Sequence, residues 1–108
     1  MTDDSTVGSP APQMFPLGAL KVDDDVHDLL AMHRLSLEPL LYRHAHADWG
    51  DVTPELAGRN GRAIFLGWWL KSLYRLSDTS DVIGVSTNAQ RTETHVRVEW
   101  DAPQGLLP

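Results

Sequence analysis

The order of apolar and polar residues changes period once along this chain, near Gly67, and that change predicts the fold class. Before it, apolar residues recur at helical spacing. Val26, Leu29, Leu30 and His33 fall at i, i+3, i+4 and i+7 behind Asp23, Asp24 and Asp25, which supply an N-cap and an acidic first turn. Leu37, Leu40, Leu41 and His44 repeat the spacing behind Ser36, a capping hydroxyl, with Pro39 tolerable in the first turn. Thr53-Pro54-Glu55 opens a third helix with a cap, a proline at the first helical position and an acid facing the positive end of the dipole. Gly58 and Gly61 each weaken that helix by roughly 1 kcal/mol relative to alanine. It therefore relies on packing through Leu56, Asn60, Ala63 and Ile64.

After Gly67 the pattern alternates. Residues 68–76 put Trp68, Leu70, Ser72, Tyr74 and Leu76 on one face and Trp69, Lys71, Leu73 and Arg75 on the other. Residues 82–87 are short and β-branched, and beyond the turn Asn88-Ala89-Gln90-Arg91, Thr94, Val96, Val98 and Trp100 alternate with His95, Arg97 and Glu99. Upstream, residues 15–22 are too short for a good helix and are interrupted by Pro16 and Gly18, which predicts an edge strand. The predicted architecture is α+β: an N-terminal strand, three helices, then a three-stranded antiparallel meander with the helices packed on one face. Residues 1–13 are expected to form a flexible tail, 14–101 a single domain and 102–108 a C-terminal tail whose Leu106 and Leu107 can dock on the core.

Composition narrows the chemistry. The absence of cysteine excludes disulfides, thiolate-bound zinc, iron–sulfur clusters and a cysteine nucleophile, leaving oxygen and imidazole groups. No apolar run is long enough for a membrane span, and the acidic start Met1-Thr2-Asp3-Asp4 is the opposite of a secretory signal, so a soluble, cytoplasmic protein is expected. A net charge of −6 argues against nucleic acid as a partner, because phosphate binding draws on clustered Lys and Arg. No cofactor is expected.

The densest cluster of functional groups is Tyr42-Arg43-His44-Ala45-His46-Ala47-Asp48-Trp49-Gly50-Asp51. His44, His46 and Asp48 are the right residue types for a divalent metal. Two helical residues two apart point about 200° away from each other, which favours histidines that cap carbonyls at a helix C-terminus instead. Asp48-Trp49-Gly50-Asp51 has a structural reading: an Asx turn, a tryptophan plugging the core, a glycine at positive φ and an aspartate satisfying helix-end N–H groups. A hydrolase or ribonuclease would use His44 as general base and Arg91 to stabilise developing negative charge, in a chain whose element order broadly resembles the RelE/ParE toxin architecture. There is no phosphate loop, nucleophile elbow or His-Glu-x-x-His pattern. Trp68 and Trp69 face opposite ways on a strand, so at least one is a candidate anchor for a partner protein.

These residues also carry a family resemblance. Phe15-Pro16-Leu17-Gly18, Arg43-His44, Asp48-Trp49-Gly50-Asp51, Asn60, Ala63, Gly67, Ser72, Tyr74, Thr87, Arg91 and Thr94 follow in order a pattern of FPLG, RHxxGDWGD, SxY and TExDR segments. In this the chain resembles small proteins of plasmids and other mobile elements, usually labelled plasmid-related or hypothetical. It departs from them at Ala47, where they have glycine, at Trp69, usually arginine, and at Asn88 and Gln90, which replace the two acids of TExDR. The resemblance implies a mobile-element setting and no settled activity. The reading these features favour is a non-enzymatic accessory protein that binds another protein, such as a host or defence factor, through an acidic surface and exposed aromatic residues. A toxin-like ribonuclease or a metal-binding module is the alternative, and a homodimer stays open.

Overall fold

The chain leaves the sheet after one strand, runs through three helices and returns to it at another, and that long connection sets the topology. The computed structural model describes residues 13–77, 79–100 and 104–107. In order, the elements are β1 (Ala19–Val22), α1 (Asp24–Met32), α2 (Glu38–Ala45), α3 (Pro54–Leu66), β2 (Leu70–Arg75), β3 (Val82–Thr87) and β4 (Glu93–Val98). The protein is α+β, but the expected three-stranded antiparallel meander is corrected to one four-stranded mixed sheet of order β1-β4-β3-β2. Antiparallel pairing joins β2 to β3 and β3 to β4, whereas β1 lies parallel to β4, with Leu20 beside Thr94 and Val22 beside Val96. A hairpin would have reversed the chain. The helical crossover instead brings it back in its original direction, so β1 and β2 run the same way, and β4, two reversals after β2, runs with them.

The helices do not form a single layer on one face either. Val26, Leu29 and Leu30 of α1 share a core cluster with Tyr74, Ile83, Val85, Val96 and Val98, so α1 covers the face on which these strand residues alternate. Beside it, α2 inserts His44 toward Ser72 and Thr87 on that same face. By contrast, α3 runs along the outer margin of β2. Its Asn60 Nδ2 donates to the Lys71 carbonyl at 2.8 Å while its Oδ1 accepts the Lys71 N–H at 3.3 Å, closing part of an edge that would otherwise be open.

Local chemistry sets the helix ends. Thr53 Oγ1 accepts the Leu56 N–H at 3.3 Å, Pro54 occupies the first turn of α3, and Gly67 ends that helix in the left-handed region at φ 74°. Ser36 does not cap α2: Leu37 holds the N-cap position and no side chain bonds there. Asp23 is the N-cap of α1, yet its carboxylate accepts from His95 Nε2 at 2.8 Å and not from its own helix.

The N-terminal tail expected over 1–13 lies, Gln13 excepted, outside the described residues. At the other end, Leu106 bridges Val52, the Leu107 N–H donates to the Asp51 carbonyl at 2.9 Å, and the Thr53 N–H donates to the Gly105 carbonyl. Among the described residues no helix is long and apolar enough to cross a membrane.

Candidate functional site

The loop after α2 is stitched to the outer edge of β2 by its backbone. The Leu73 N–H donates to the Trp49 carbonyl at 3.1 Å, the Asp51 N–H donates to the Leu73 carbonyl at 2.7 Å, and the Arg75 N–H donates to Asp51 Oδ2 at 2.8 Å. Asp51 thus serves a strand edge and not a helix end. Gly50 has φ 78°, and a Cβ there would collide with the Leu73 carbonyl and the Tyr74 ring, so only glycine fits this close approach. Asp48 accepts the Gly50 N–H at 3.2 Å, closing an Asx turn, and its backbone carbonyl accepts the Tyr74 hydroxyl at 2.7 Å. Arg43 grips the Asp48 carboxylate through Nε at 2.8 Å and Nη2 at 3.2 Å and lies over the Tyr74 ring, 4.6 Å from its centre. That hydrogen-bonded pair holds the Asp48 carboxyl below the usual aspartate range and raises Arg43, while burial pushes the Tyr74 hydroxyl up. Both members of the ion pair are well exposed, so it is worth about 0–1 kcal/mol.

Ala47 sits in the same loop at φ 66°, a conformation that costs an L side chain roughly 1–2 kcal/mol. Glycine there should stabilise the protein by about 1 kcal/mol or somewhat less, since glycine's greater unfolded-state freedom offsets part of the gain. Ala47→Gly is therefore expected to melt a few degrees above the parent in a calorimetric scan; an equal or lower melting temperature would show that the loop has relaxed around alanine.

His44 is fully buried. Its Nδ1 lies 2.6 Å from Ser72 Oγ and its Nε2 lies 2.9 Å from Thr87 Oγ1; Thr87 Oγ1 lies 2.7 Å from Thr94 Oγ1, and the Thr94 hydroxyl donates to the Leu17 carbonyl at 2.7 Å. The last bond orients all the others. A carbonyl only accepts, so Thr94 spends its single proton on Leu17, Thr87 must donate to Thr94, and Thr87 can only accept from His44 Nε2–H. Neutral His44 therefore carries its proton on Nε2, and Ser72 donates to Nδ1. Phe15 and Trp49 close the ring in, with centroids 5.2 and 5.9 Å away in edge contacts. Burial, and then the charge of Arg91, lower its pKa to about 4.

These positions separate the sequence-predicted chemical sets. His44 is sealed in the core with both ring nitrogens bonded to hydroxyls, His46 Nδ1 contacts the Tyr42 carbonyl at 2.7 Å and its ring stacks on Tyr42, and Asp48 is gripped by Arg43. Among the described residues no group of three or more metal-ligating side chains comes together. Arg91 donates to the carbonyls of Trp68 at 2.6 Å and of Ala63 and Asn88 at 3.0 Å, tying the β3–β4 turn to the end of α3.

Trp68 and Trp69 precede β2 and do not belong to it, so the strand alternation that would set them on opposite faces does not apply. Both are exposed, at 41% and 48%. Arg59 links them: its guanidinium lies 3.5 Å from the Trp69 ring centre and 5.4 Å from that of Trp68, and Nη1 donates to the Trp69 carbonyl at 2.6 Å. Phe65 and Leu66, at the end of α3, are 85% and 58% exposed beside them in the chain. Around the tryptophans the surface thus carries aromatic rings and the Arg59 cation, and Trp69 also borders two grooves lined in part by Glu55, Glu93 and Glu99. Arg59, Arg62 and Phe65 were legible as an outward stripe, one helical turn apart at each step, that contradicts the apolar-inside rule at its end. No family model, curated protein or solved structure matches the chain.

Proposed function

We propose that this chain is a non-enzymatic binding module, an accessory protein of the mobile-element kind its motifs resemble, that engages another protein in the cytoplasm through Trp68, Trp69 and Arg59. The observation that carries this reading is the exposure of two adjacent tryptophans around a stacked guanidinium, since Trp and Arg are the residue types that dominate binding energy at interfaces. Phe65 and Leu66 extend the apolar area beyond what scattered surface residues produce. The ribonuclease alternative has less support, because a base with no exposed surface cannot reach a substrate hydroxyl, and Arg91 is committed to backbone carbonyls.

The test is a site-specific cross-link. A benzophenone amino acid at position 65, and separately at the exposed position 32 at the end of α1, is irradiated in lysate of the native host. A discrete protein adduct from position 65 alone, lost on Trp69→Ala, is the expected result. No adduct, or the same adducts from both positions, removes this surface as the binding site.

A further inference from the structure

We infer that the partner segment recognised here is acidic, a stretch of Asp and Glu around an aliphatic or aromatic anchor; this rests on the reading just given. The chain carries a net charge of −6, and Glu55 and Glu99 line one groove with Trp69 and Lys71, yet Arg59, which lies over both exposed tryptophans, makes no ion pair among the described residues, and the groove it shares with both of them holds no acid. Among the described residues, Lys21, Arg43, Lys71 and Arg97 each lie within ion-pair distance of a carboxylate, whereas Arg34, Arg59, Arg62, Arg75 and Arg91 do not. Of these five, Arg59, Arg62 and Arg91 belong to α3 and to the turn that bonds Trp68. Arg59 stacks on both tryptophans, Arg62 follows it one turn along α3, and Arg91 bonds the Trp68 carbonyl.

The geometry suits a carboxylate. Arg59 Cζ lies over the Trp69 ring at 3.5 Å; the side chain spends one N–H on the Trp69 carbonyl and keeps further donors in the planar fork that matches two carboxylate oxygens. Partial burial and the nearby charge of Arg62 disfavour that cation, and the charge of an incoming anion would offset both. Between the tryptophans a shallow groove of about 410 Å³, lined by Arg59, Gly67, Trp68, Trp69 and Ala89, offers a seat for one apolar side chain beside the charge. An acidic peptide is favoured over single-stranded nucleic acid. A polyanion would have to approach a protein of the same sign with little beyond Arg59 and Arg62 at this surface to offset the repulsion, while Phe65 and Leu66 add aliphatic and aromatic area that peptide side chains can cover.

Selection from a random dodecapeptide phage library on the immobilised protein tests this, with Arg59→Gln, Arg62→Gln and Trp69→Ala as parallel targets and oligo-dT as a competing ligand. The enriched peptides are expected to be net negative with one apolar anchor and to lose about tenfold or more in affinity on Arg59→Gln, with a smaller loss on Arg62→Gln, whose side chain makes no ion pair among the described residues. Their binding should weaken as salt is raised. Enriched peptides that depend on Trp69 but are neutral or basic, or that ignore both arginine variants, would overturn the acidic partner and leave the protein-binding reading standing. The absence of any Trp69-dependent peptide would overturn both. Oligo-dT binding that outcompetes the peptides would turn the surface into a nucleic-acid site.

Discussion

Replacing Trp49 by alanine should destabilise the protein by about 3–5 kcal/mol, the scale for truncating a large buried aromatic side chain and most of the margin of a domain this size. The side chain is buried, lies parallel to Phe15 with ring centroids 6.2 Å apart, and shares a cluster with Val52, Ala63, Leu70, Leu73 and Val82. Its removal opens a cavity where the loop, α3 and both faces of β2 meet, and it frees one wall around His44. The backbone would still be able to bridge Leu73, but without the ring nothing apolar anchors the bridge. Gly50→Ala should also be severe, because the neighbour that must give way is backbone. Asp51→Asn should be mild, since an amide oxygen can still accept the Arg75 N–H. Thermal melts of the three variants check the ranking. If Trp49→Ala melts within about two degrees of the parent, the loop is not a structural staple and becomes a place to look for binding.

Much of this was readable from local pattern, and the failures have one cause in common. Helix starts such as Thr53-Pro54-Glu55 and the strand at residues 82–87 are specified by neighbours in sequence, so period and capping chemistry reach them. The parallel pairing of β1 with β4 joins residues about as far apart as the domain allows, and no turn residue announces it. His44 fits the inward stripe of α2, but its role is set by Ser72, Thr87 and Thr94 on three different strands. Each hydroxyl looked like an ordinary strand residue. Asn60 falls by spacing among the packing positions of α3, whereas its amide bonds the Lys71 backbone and so closes a strand edge. The alternation that begins at Trp68 in the sequence starts two residues ahead of β2, which begins at Leu70. Ahead of the strand the two indoles are held close by one arginine, the arrangement proposed above as a binding surface.

Acid should weaken the fold through His44 before it weakens it through carboxylates. An unfolded histidine titrates near 6.5, whereas the buried ring stays neutral down to about 4. The unfolded chain therefore binds the extra proton between those limits. Because this folded-state pKa is depressed, the contribution is fully present above about pH 6.5, falls as pH drops, and is gone near pH 4, a loss of about 3 kcal/mol at most. The charged group that faces the ring is Arg91, which opposes a second cation; the other neighbours, Phe15, Trp49, Ser72 and Thr87, do not titrate in this range. Asp48, held low by Arg43, loses its contribution only at lower pH. Urea midpoints of wild type and His44→Gln across this window isolate the residue from the other four histidines: wild type should lose stability steeply below about pH 6, and the glutamine variant, which can offer a donor to Thr87 and an acceptor to Ser72, should be flatter. Nitrogen NMR of the folded protein gives a second check independent of whether the variant folds, with His44 expected as the neutral Nε2–H tautomer at pH 5. A ring that titrates near 6.5 in the native state, or equal midpoint slopes for the two proteins, would mean that the neutral state imposed on His44 by burial and by the charge of Arg91 does not hold. If it does hold, the first segment to loosen in acid should be residues 15–18, whose Leu17 carbonyl is the last acceptor in the hydroxyl chain, and hydrogen exchange at those amides should accelerate before exchange in β3.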